Sequence, residues 1–350
     1  METRWIRLQK GNTDLKAIRE AGEIIRRGGL VAFPTETVYG LGGDALNPAS
    51  SNKIYAAKGR PSDNPLIVHI CRWEDLPPIV KEIPPQAKAL ADAFWPGPLT
   101  MIFQKSDLVP KETTGGLSTV AVRYPDHKQA LEFIKAAGGY IAAPSANTSG
   151  RPSPTEGKYV YEDLSGKIEM LLDDGLVSIG LESTIVDLTE EIPVILRPGY
   201  ITEEMLQRVL GEVCADPTIL HVAADAAPKA PGMKYRHYAP KGDLTIVTGQ
   251  METVVSKVNA LSGQAMEQGV KVGIIGTDET ISSYQADVKK SVGKRTDEAA
   301  IARRLYQILR EFDDENVQLI YSEAFDDTGI GQAIMNRLLK AAGHKVLTVT

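Results

Sequence analysis

Lys58 and Arg60 stand two residues apart in the run Lys58-Gly59-Arg60-Pro61, with Asn64 and His69 a short way downstream. A guanidinium offers a planar fork of donors and an ammonium a compact point charge, and phosphate oxygens accept from both. An isolated K-x-R is more often a solvated basic turn at a helix end. Here Pro61 and Pro65 stiffen the segment, so two cations and an amide are held beside the apolar run 66–70. Ser145-x-Asn147 brings a hydroxyl, an amide and backbone N–H groups into a loop with Gly150. Such a set can face an anion or close an Asx or serine turn. Arg123 follows Val120-Ala121-Val122, and a single charge at the end of a buried strand is costly without a partner. A ligand carboxylate or phosphate would satisfy it, and so would an internal salt bridge. Ser183-Thr184, between Glu182 and Ile185-Val186, and Arg197, before Pro198-Gly199, leave the same two readings open.

Other chemistries lack their residues. There is no G-x-x-x-x-G-K-[ST], so an ordinary P-loop is excluded. Gly329-Ile330-Gly331 resembles a dinucleotide fingerprint only in part, because Ile334 stands where a small residue is needed and too little chain follows. A tight strand-to-helix turn is the expected use of those glycines. The five histidines, His69, His127, His221, His237 and His344, show no H-E-x-x-H or similar spacing. No protein-held catalytic metal is expected, and any Mg²⁺ would arrive on nucleotide phosphates. Ser145 lacks the G-x-S-x-G context of a hydrolase nucleophile.

The elements that must position these residues can be read from periodicity. Leu15, Ile18, Ala21, Ile24 and Ile25 recur at helical spacing between Thr13 and Arg27, and Gly28-Gly29 ends the pattern. Leu30–Phe33 reads as a short buried strand that Pro34 breaks, opening a polar, glycine-rich loop from Thr35 to Gly43. The pattern returns where Gly139–Ala143 runs into Pro144–Gly150, and two such loops could converge. Apolar runs at 66–70, 99–103, 120–122, 170–172, 185–188 and 194–196 interleave with helical patterns around 85–94 and 127–137. The expectation is one α/β domain over residues 1–199. Residues 200–240 read as an ordered linker. Strands near 244–247, 270–275, 317–321 and 346–349 then alternate with helices near 251–267, 297–312 and 331–342, a smaller α/β domain over 241–350.

At 350 residues the chain is longer than one domain of ~100–200 residues needs. Apolar residues make up 43% and charged residues 24%, as in folded water-soluble proteins, and no run approaches the ~20 apolar residues of a membrane span. The first residues lead into a mixed-charge segment, not a basic start and apolar core, so the expectation is a cytoplasmic protein with no membrane role. Cys71 and Cys214 are too few for a disulfide framework, which fits a reducing compartment. The net charge is −6, with 26 basic against 30 acidic residues over 1–240 and 13 against 15 over 241–350. Neither part is basic, so any RNA contact would be weak and confined to a local patch.

Taken together, the motifs go further. Pro34-Thr35-Glu36-Thr37-Val38-Tyr39-Gly40-Leu41, Lys58-x-Arg60-Pro61 with Asn64-Pro65-Leu66, and Pro144-Ser145-Ala146-Asn147-x-Ser149-Gly150 resemble the YrdC-like domain of threonylcarbamoyl-AMP synthases. Glu182–Asp187 and Arg197-Pro198-Gly199 continue the match, and 231–240 and Met335-Asn336-Arg337-Leu338 resemble the longer, two-domain form. The resemblance implies a twisted, open mixed sheet followed by a smaller Rossmann-like α/β domain. It implies that L-threonine, bicarbonate and ATP are converted to threonylcarbamoyl-AMP and pyrophosphate, the product passing to a tRNA threonylcarbamoyl transferase complex.

Residue by residue, the resemblance places Thr37, His69, Arg123, Ser183 and the backbone at Ala143 around threonine. It places Lys58, Arg60, Asn64, Thr119, Ser145, Asn147, Ser153 and Arg197 around the nucleotide, with Lys58, Arg60, Ser145 and Asn147 carrying the catalysis. A carbamate loses CO₂ readily in water, so residues 200–240, with Tyr235 against the nucleotide, are expected to act as a lid. An RNA-binding or ribosome-assembly protein on the same fold is the main alternative, since fold alone does not fix function. An enzyme adenylating a different carbamate, as in hydrogenase maturation, would carry extra zinc-binding or acylphosphatase-like segments.

Overall fold

The structure is a computed structural model, and it describes residues 1–8, 14–219 and 237–350. Of the expected lid over 200–240, residues 220–236, with Tyr235 among them, therefore lie outside the described residues. The chain divides into two compact units. Among the described residues, one holds Met1–Ser149 and 153–219; the other holds Gly150–Pro152 and 237–350.

Along the first unit run β1 (Arg4–Arg7), α1 (Leu15–Arg26), β2 (Val31–Phe33), β3 (Gly40–Asp44), α2 (Pro48–Lys58), β4 (Ile67–His69), α3 (Pro85–Phe94), β5 (Leu99–Gln104) and β6 (Thr119–Arg123). There follow α4 (Lys128–Ala136), β7 (Ile141–Ala143), α5 (Gly157–Leu164), β8 (Met170–Asp173), β9 (Thr184–Asp187), β10 (Val194–Arg197), α6 (Glu203–Leu210) and β11 (Cys214–Ala215). The strands form a single mixed sheet in the order β1-β8-β2-β3-β7-β4-β6-β5-β9-β10-β11.

Local chemistry fixes the ends of these elements. Asp14 caps α1 by accepting from the Ala17 amide at 3.1 Å, and its apolar stripe of Ala17, Ile18, Ala21 and Ile25 is buried, packed with Phe133 and Ile134 of α4. Helix α2 starts on an Asn47 cap with Pro48 in its first turn, and Gly59 ends it in the left-handed region at φ 64°. That stop leaves Lys58 on the last helical turn.

The centre of the sheet carries one core on one face, where Val68, Val122, Met101, Val186 and Ile195 pack together. On the other face Ile67, Ala121, Ile102, Ile185 and Leu196 form a smaller apolar floor. Successive side chains alternate across a strand, so Thr119 and Arg123 share the second face with Ala121. Register then puts His69 and Thr100 opposite Arg123, and Ala143 opposite Ile67, on that same face.

The expected loop 34–43 departs from the reading at its far end. Gly40–Asp44 is a strand, antiparallel to β2 and to β7. A Cβ at Gly42 would come within 2.9 Å of the Ile141 side chain and 3.2 Å of Phe33, so the glycine permits the close packing that its composition hides.

The second unit contains β12 (Asp243–Thr248), α7 (Met251–Glu267), β13 (Val272–Gly276), β14 (Val288–Ser291), α8 (Glu298–Asp314), β15 (Leu319–Glu323), α9 (Gly329–Ala341) and β16 (Val346–Thr348). Its five described strands are all parallel, ordered β14-β13-β15-β12-β16. Gly329-Ile330-Gly331 opens α9 soon after β15, as a strand-to-helix turn. Gly150–Pro152 is held in this unit by Arg310, whose Nε donates to the Pro152 carbonyl at 3.0 Å, and by an Arg151–Asp313 ion pair at 3.2 Å. Among the described residues no helix is long and apolar enough to cross a membrane.

Candidate functional site

The two loops that leave β2 and β7 converge. Ser145 bridges to Gly40, the Leu41 amide donates to the Pro144 carbonyl at 2.8 Å, and the Ala146 amide to the Tyr39 carbonyl at 2.8 Å. Tyr39 anchors the first loop, its hydroxyl donating to Asp173 Oδ1 at 2.9 Å and lying 2.7 Å from the Gly175 carbonyl. Burial, and then the Asp173 carboxylate, push that phenol well above its usual pKa.

Lys58 ties α2 to the second loop. Its ammonium donates to the backbone carbonyls of both Ser145 and Asn147, and its own carbonyl accepts from the Ser149 amide at 2.9 Å. Lys58 is 2% exposed, so the solvated basic turn is not what forms. Ser145 Oγ donates to Asn147 Oδ1 at 2.5 Å. The K-x-R and S-x-N motifs, 87 residues apart in sequence at the Lys58–Ser145 contact, are thus one structural unit.

Arg60, also buried, follows the reversal at Gly59, where its amide donates to the Tyr55 carbonyl at 2.9 Å. Its guanidinium is held by Asn64 and by the Pro65 carbonyl. This is the stiffened geometry that Pro61 and Pro65 imply.

On the sheet, His69 and Arg123 end the neighbouring parallel strands β4 and β6 in register. His69 Nδ1 lies 3.1 Å from the Ile67 carbonyl. Burial, reinforced by the Arg123 charge, pushes its pKa down to about 3, so the imidazole is neutral. Arg123 meets Glu36, with Nη2 2.7 Å from Oε1. Of the two partners open to Arg123 in the sequence, the internal carboxylate is therefore present.

Thr100 Oγ1 and Ser183 Oγ are 2.7 Å apart, and Arg197 reaches Ser183 twice, from Nε to the carbonyl at 3.0 Å and from Nη2 to Oγ at 3.2 Å. Ser153 Oγ donates to Glu182 Oε1 at 2.6 Å. Ser183 thus links Arg197 to Thr100, the strand position beside Arg123, and Ser153 is held by the adjacent residue Glu182. Thr37 Oγ1 lies 2.9 Å from Thr35 Oγ1, Thr119 begins β6, and Ala143 ends β7.

Two contacts in this set have no sequence counterpart. Glu36 carries no assigned role in the sequence reading, although its place between two threonines at a strand end is a polar signal in a buried setting. Thr100 reads only as part of a strand, and nothing local marks it as polar lining.

The comparisons with known proteins agree over both units. Residues 23–199 match a domain family described as "Telomere recombination", and residues 201–343 match the "Threonylcarbamoyl-AMP synthase, C-terminal domain" family. A threonylcarbamoyl-AMP synthase of Pyrococcus abyssi is 49% identical over 332 residues, covering 95% of this chain and 96% of the relative. One from Bacillus subtilis is 46% identical over 337 residues, covering 96% of each. The crystal structure of a Pyrococcus abyssi protein complexed with L-threonine superposes with a TM-score of 0.94 at 46% identity, covering 99% of this chain and 100% of that one. The chain therefore belongs to the threonylcarbamoyl-AMP synthase family of adenylyl-transferring enzymes, in the form that carries both matched domains.

Proposed function

We propose that this chain joins L-threonine, bicarbonate and ATP into threonylcarbamoyl-AMP and pyrophosphate in the cytoplasm. Its product then goes to a tRNA threonylcarbamoyl transferase for modification of an adenosine. The observation that carries this reading is the Lys58 clasp on Ser145 and Asn147, which joins two anion-binding motifs beside a sheet face bearing Arg123 and His69.

In this reading Thr37, His69, Arg123, Ser183 and the Ala143 backbone hold threonine, with its carboxylate on Arg123. The neutral His69 adds a polar contact without a second positive charge beside that arginine. Lys58, Arg60, Asn64, Thr119, Ser145, Asn147, Ser153 and Arg197 hold the nucleotide, and Tyr235 covers it. The threonine amine takes up bicarbonate with loss of water to give a carbamate. A carbamate oxygen then attacks the α-phosphorus of ATP, and the bond from that phosphorus to the β-phosphate oxygen breaks. No covalent enzyme intermediate is required. Lys58 and Arg60 contribute by positioning the phosphates and by stabilising charge that develops on their oxygens.

Among the described residues no group of three or more His, Cys, Asp or Glu side chains is placed to hold a metal ion. In this proposal the Mg²⁺ is part of the substrate, bound by the ATP phosphates. Residues 1–199 are the catalytic domain in this scheme, 200–240 the linker that shields the carbamate from water, and 241–350 the Rossmann-like domain.

The test is pyrophosphate release with threonine, bicarbonate and ATP supplied together or withheld in turn. Release that needs all three is the expected result. Release at the full rate without threonine would refute the reading.

A further inference from the structure

The Arg123–Glu36 pair is buried, with the two side chains 5% and 7% exposed. It is also incomplete. Both carboxylate oxygens of Glu36, and Nε and Nη2 of Arg123, are shut off from solvent and make no aligned hydrogen bond, although the charges are in contact. Buried charges are stable only when their remaining lone pairs and protons are also satisfied, and leaving them unsatisfied carries a desolvation cost.

The group that would complete such a pair carries both charges itself. A carboxylate arriving alone at Arg123 would set two anions against one guanidinium, with Glu36 repelling the newcomer at close range. An ammonium one carbon away from that carboxylate removes the conflict, because it gives Glu36 a cation of its own. We propose that Glu36 is the receptor for the α-ammonium of the amino-acid substrate, so that Arg123 and Glu36 together recognise an amino-acid zwitterion and reject the corresponding hydroxy acid. This rests on the reading that Arg123 takes the threonine carboxylate. It adds a specificity residue outside the set drawn from the sequence motifs.

The loop carrying Glu36 is suited to the role. The Glu36 carbonyl accepts from the Ile179 amide at 2.9 Å, the neighbouring Thr37 carbonyl accepts from the Gly180 amide at 3.1 Å, and Thr35 Oγ1 bonds the Val38 carbonyl at 2.6 Å. The backbone on both sides is fixed, so the carboxylate is presented by a rigid turn.

The experiment is calorimetric titration of the full chain with L-threonine and with 2,3-dihydroxybutanoate, which has a hydroxyl in place of the ammonium. The wild type is expected to prefer threonine by about tenfold or more, the scale of one charged hydrogen bond. Glu36→Gln should reduce that preference to within about threefold, chiefly by weakening threonine. Glu36→Asp, which keeps the charge, should retain most of the preference. A merely structural role for Glu36 would weaken both ligands alike and leave their ratio unchanged. An unchanged ratio in Glu36→Gln overturns this inference alone, whereas a wild type that binds no threonine overturns the proposed function with it. If Glu36→Gln does not fold, the wild-type ratio and Glu36→Asp decide. A wild-type preference below about twofold, or its loss in Glu36→Asp, overturns the inference.

Discussion

The Arg60 guanidinium is fixed to Asn64 twice, with Nε donating to the Asn64 carbonyl at 3.2 Å and Nη2 to its side-chain Oδ1 at 2.6 Å. A third bond runs from Nη2 to the Pro65 carbonyl at 3.0 Å. The plane of the fork is thus set before any ligand arrives, and the entropy of ordering a long side chain has already been lost on folding. An ammonium cannot reproduce that planar arrangement. Arg60→Ala and Arg60→Lys should both weaken ATP binding by about 1.5–3 kcal/mol. Threonine binding, titrated separately, should change little. Nucleotide affinity equal to wild type in both variants would make Arg60 a structural clamp and nothing more.

Lys58 joins the end of α2 to the S-x-N loop, and in the proposed mechanism it also positions phosphate, so its removal should lower turnover beyond its effect on stability. Lys58→Met keeps much of the side-chain volume of a buried residue and removes the donor to two carbonyls. Loss of one preorganised donor at a charge-developing site lowers kcat by about 10²–10³. Pyrophosphate release by Lys58→Met should fall on that order in protein that is still folded, a larger effect than the loss of stability from two carbonyls left without this donor, about 1–3 kcal/mol. Turnover within about twofold of wild type would exclude Lys58 from the charge-stabilising role.

Most of the fold could be read from periodicity because its elements bury one-sided patterns. The stripe of α1, the short apolar strands and the alternation of helices and strands after residue 243 all predict elements that form. Helix α2 had no such signal. Its buried side chains are Ser50, Ser51, Ile54, Tyr55 and Lys58, so large apolar residues occupy only one turn of its inner face and give no repeating stripe for hydrophobic spacing to reveal. Strand β3 was concealed by its glycines, which serve packing against Phe33 and Ile141, not a turn. The same limit applies at the site. The motifs named Lys58, Arg60, Ser145 and Asn147, but the contact that makes them one unit closes over a separation no local pattern encodes. Arg123 was visible as a charge in need of a partner, whereas the choice of Glu36 came only from how the loop after β2 folds over β6.

His69 gives a pH-dependent signature of folding. Its pKa falls from 6.5 to about 3 in the native protein, through burial first and the Arg123 charge second. Below pH 6.5 the unfolded chain takes up a proton that the native chain refuses, so stability declines as pH falls from 6.5 towards 3. The contribution is at most about 1.4 kcal/mol per pH unit and is fully retained above the unfolded value. His127 is also shifted down by burial, against the pull of Asp174, and acts in the same direction. Urea unfolding between about pH 7.5 and about pH 5 should therefore show a shallower loss of stability in His69→Asn than in wild type, with His127→Gln as the comparison. Equal slopes in wild type and His69→Asn would mean that His69 titrates normally in the native state.

The Arg123–Glu36 pair allows recognition to be separated from stability, because its two charges can be removed one at a time or together. Arg123→Met leaves Glu36 buried without its counter-ion, and breaking a buried pair in this way costs about 3–5 kcal/mol. A loss of threonine use in that variant alone would be ambiguous, since a destabilised site also binds poorly. Adding Glu36→Leu removes the stranded carboxylate, and replacing both members of a buried pair by apolar residues is often neutral or stabilising. The double variant Arg123→Met/Glu36→Leu should recover most of the lost stability in denaturant unfolding. It should still fail to use threonine, because neither the carboxylate nor the ammonium of the substrate would find its partner. ATP binding, carried by Lys58, Arg60 and their neighbours in this proposal, should persist in the double variant. A stable double variant that releases pyrophosphate with wild-type dependence on threonine would mean that the pair only holds the β2 loop against β6, and that the amino acid is recognised elsewhere.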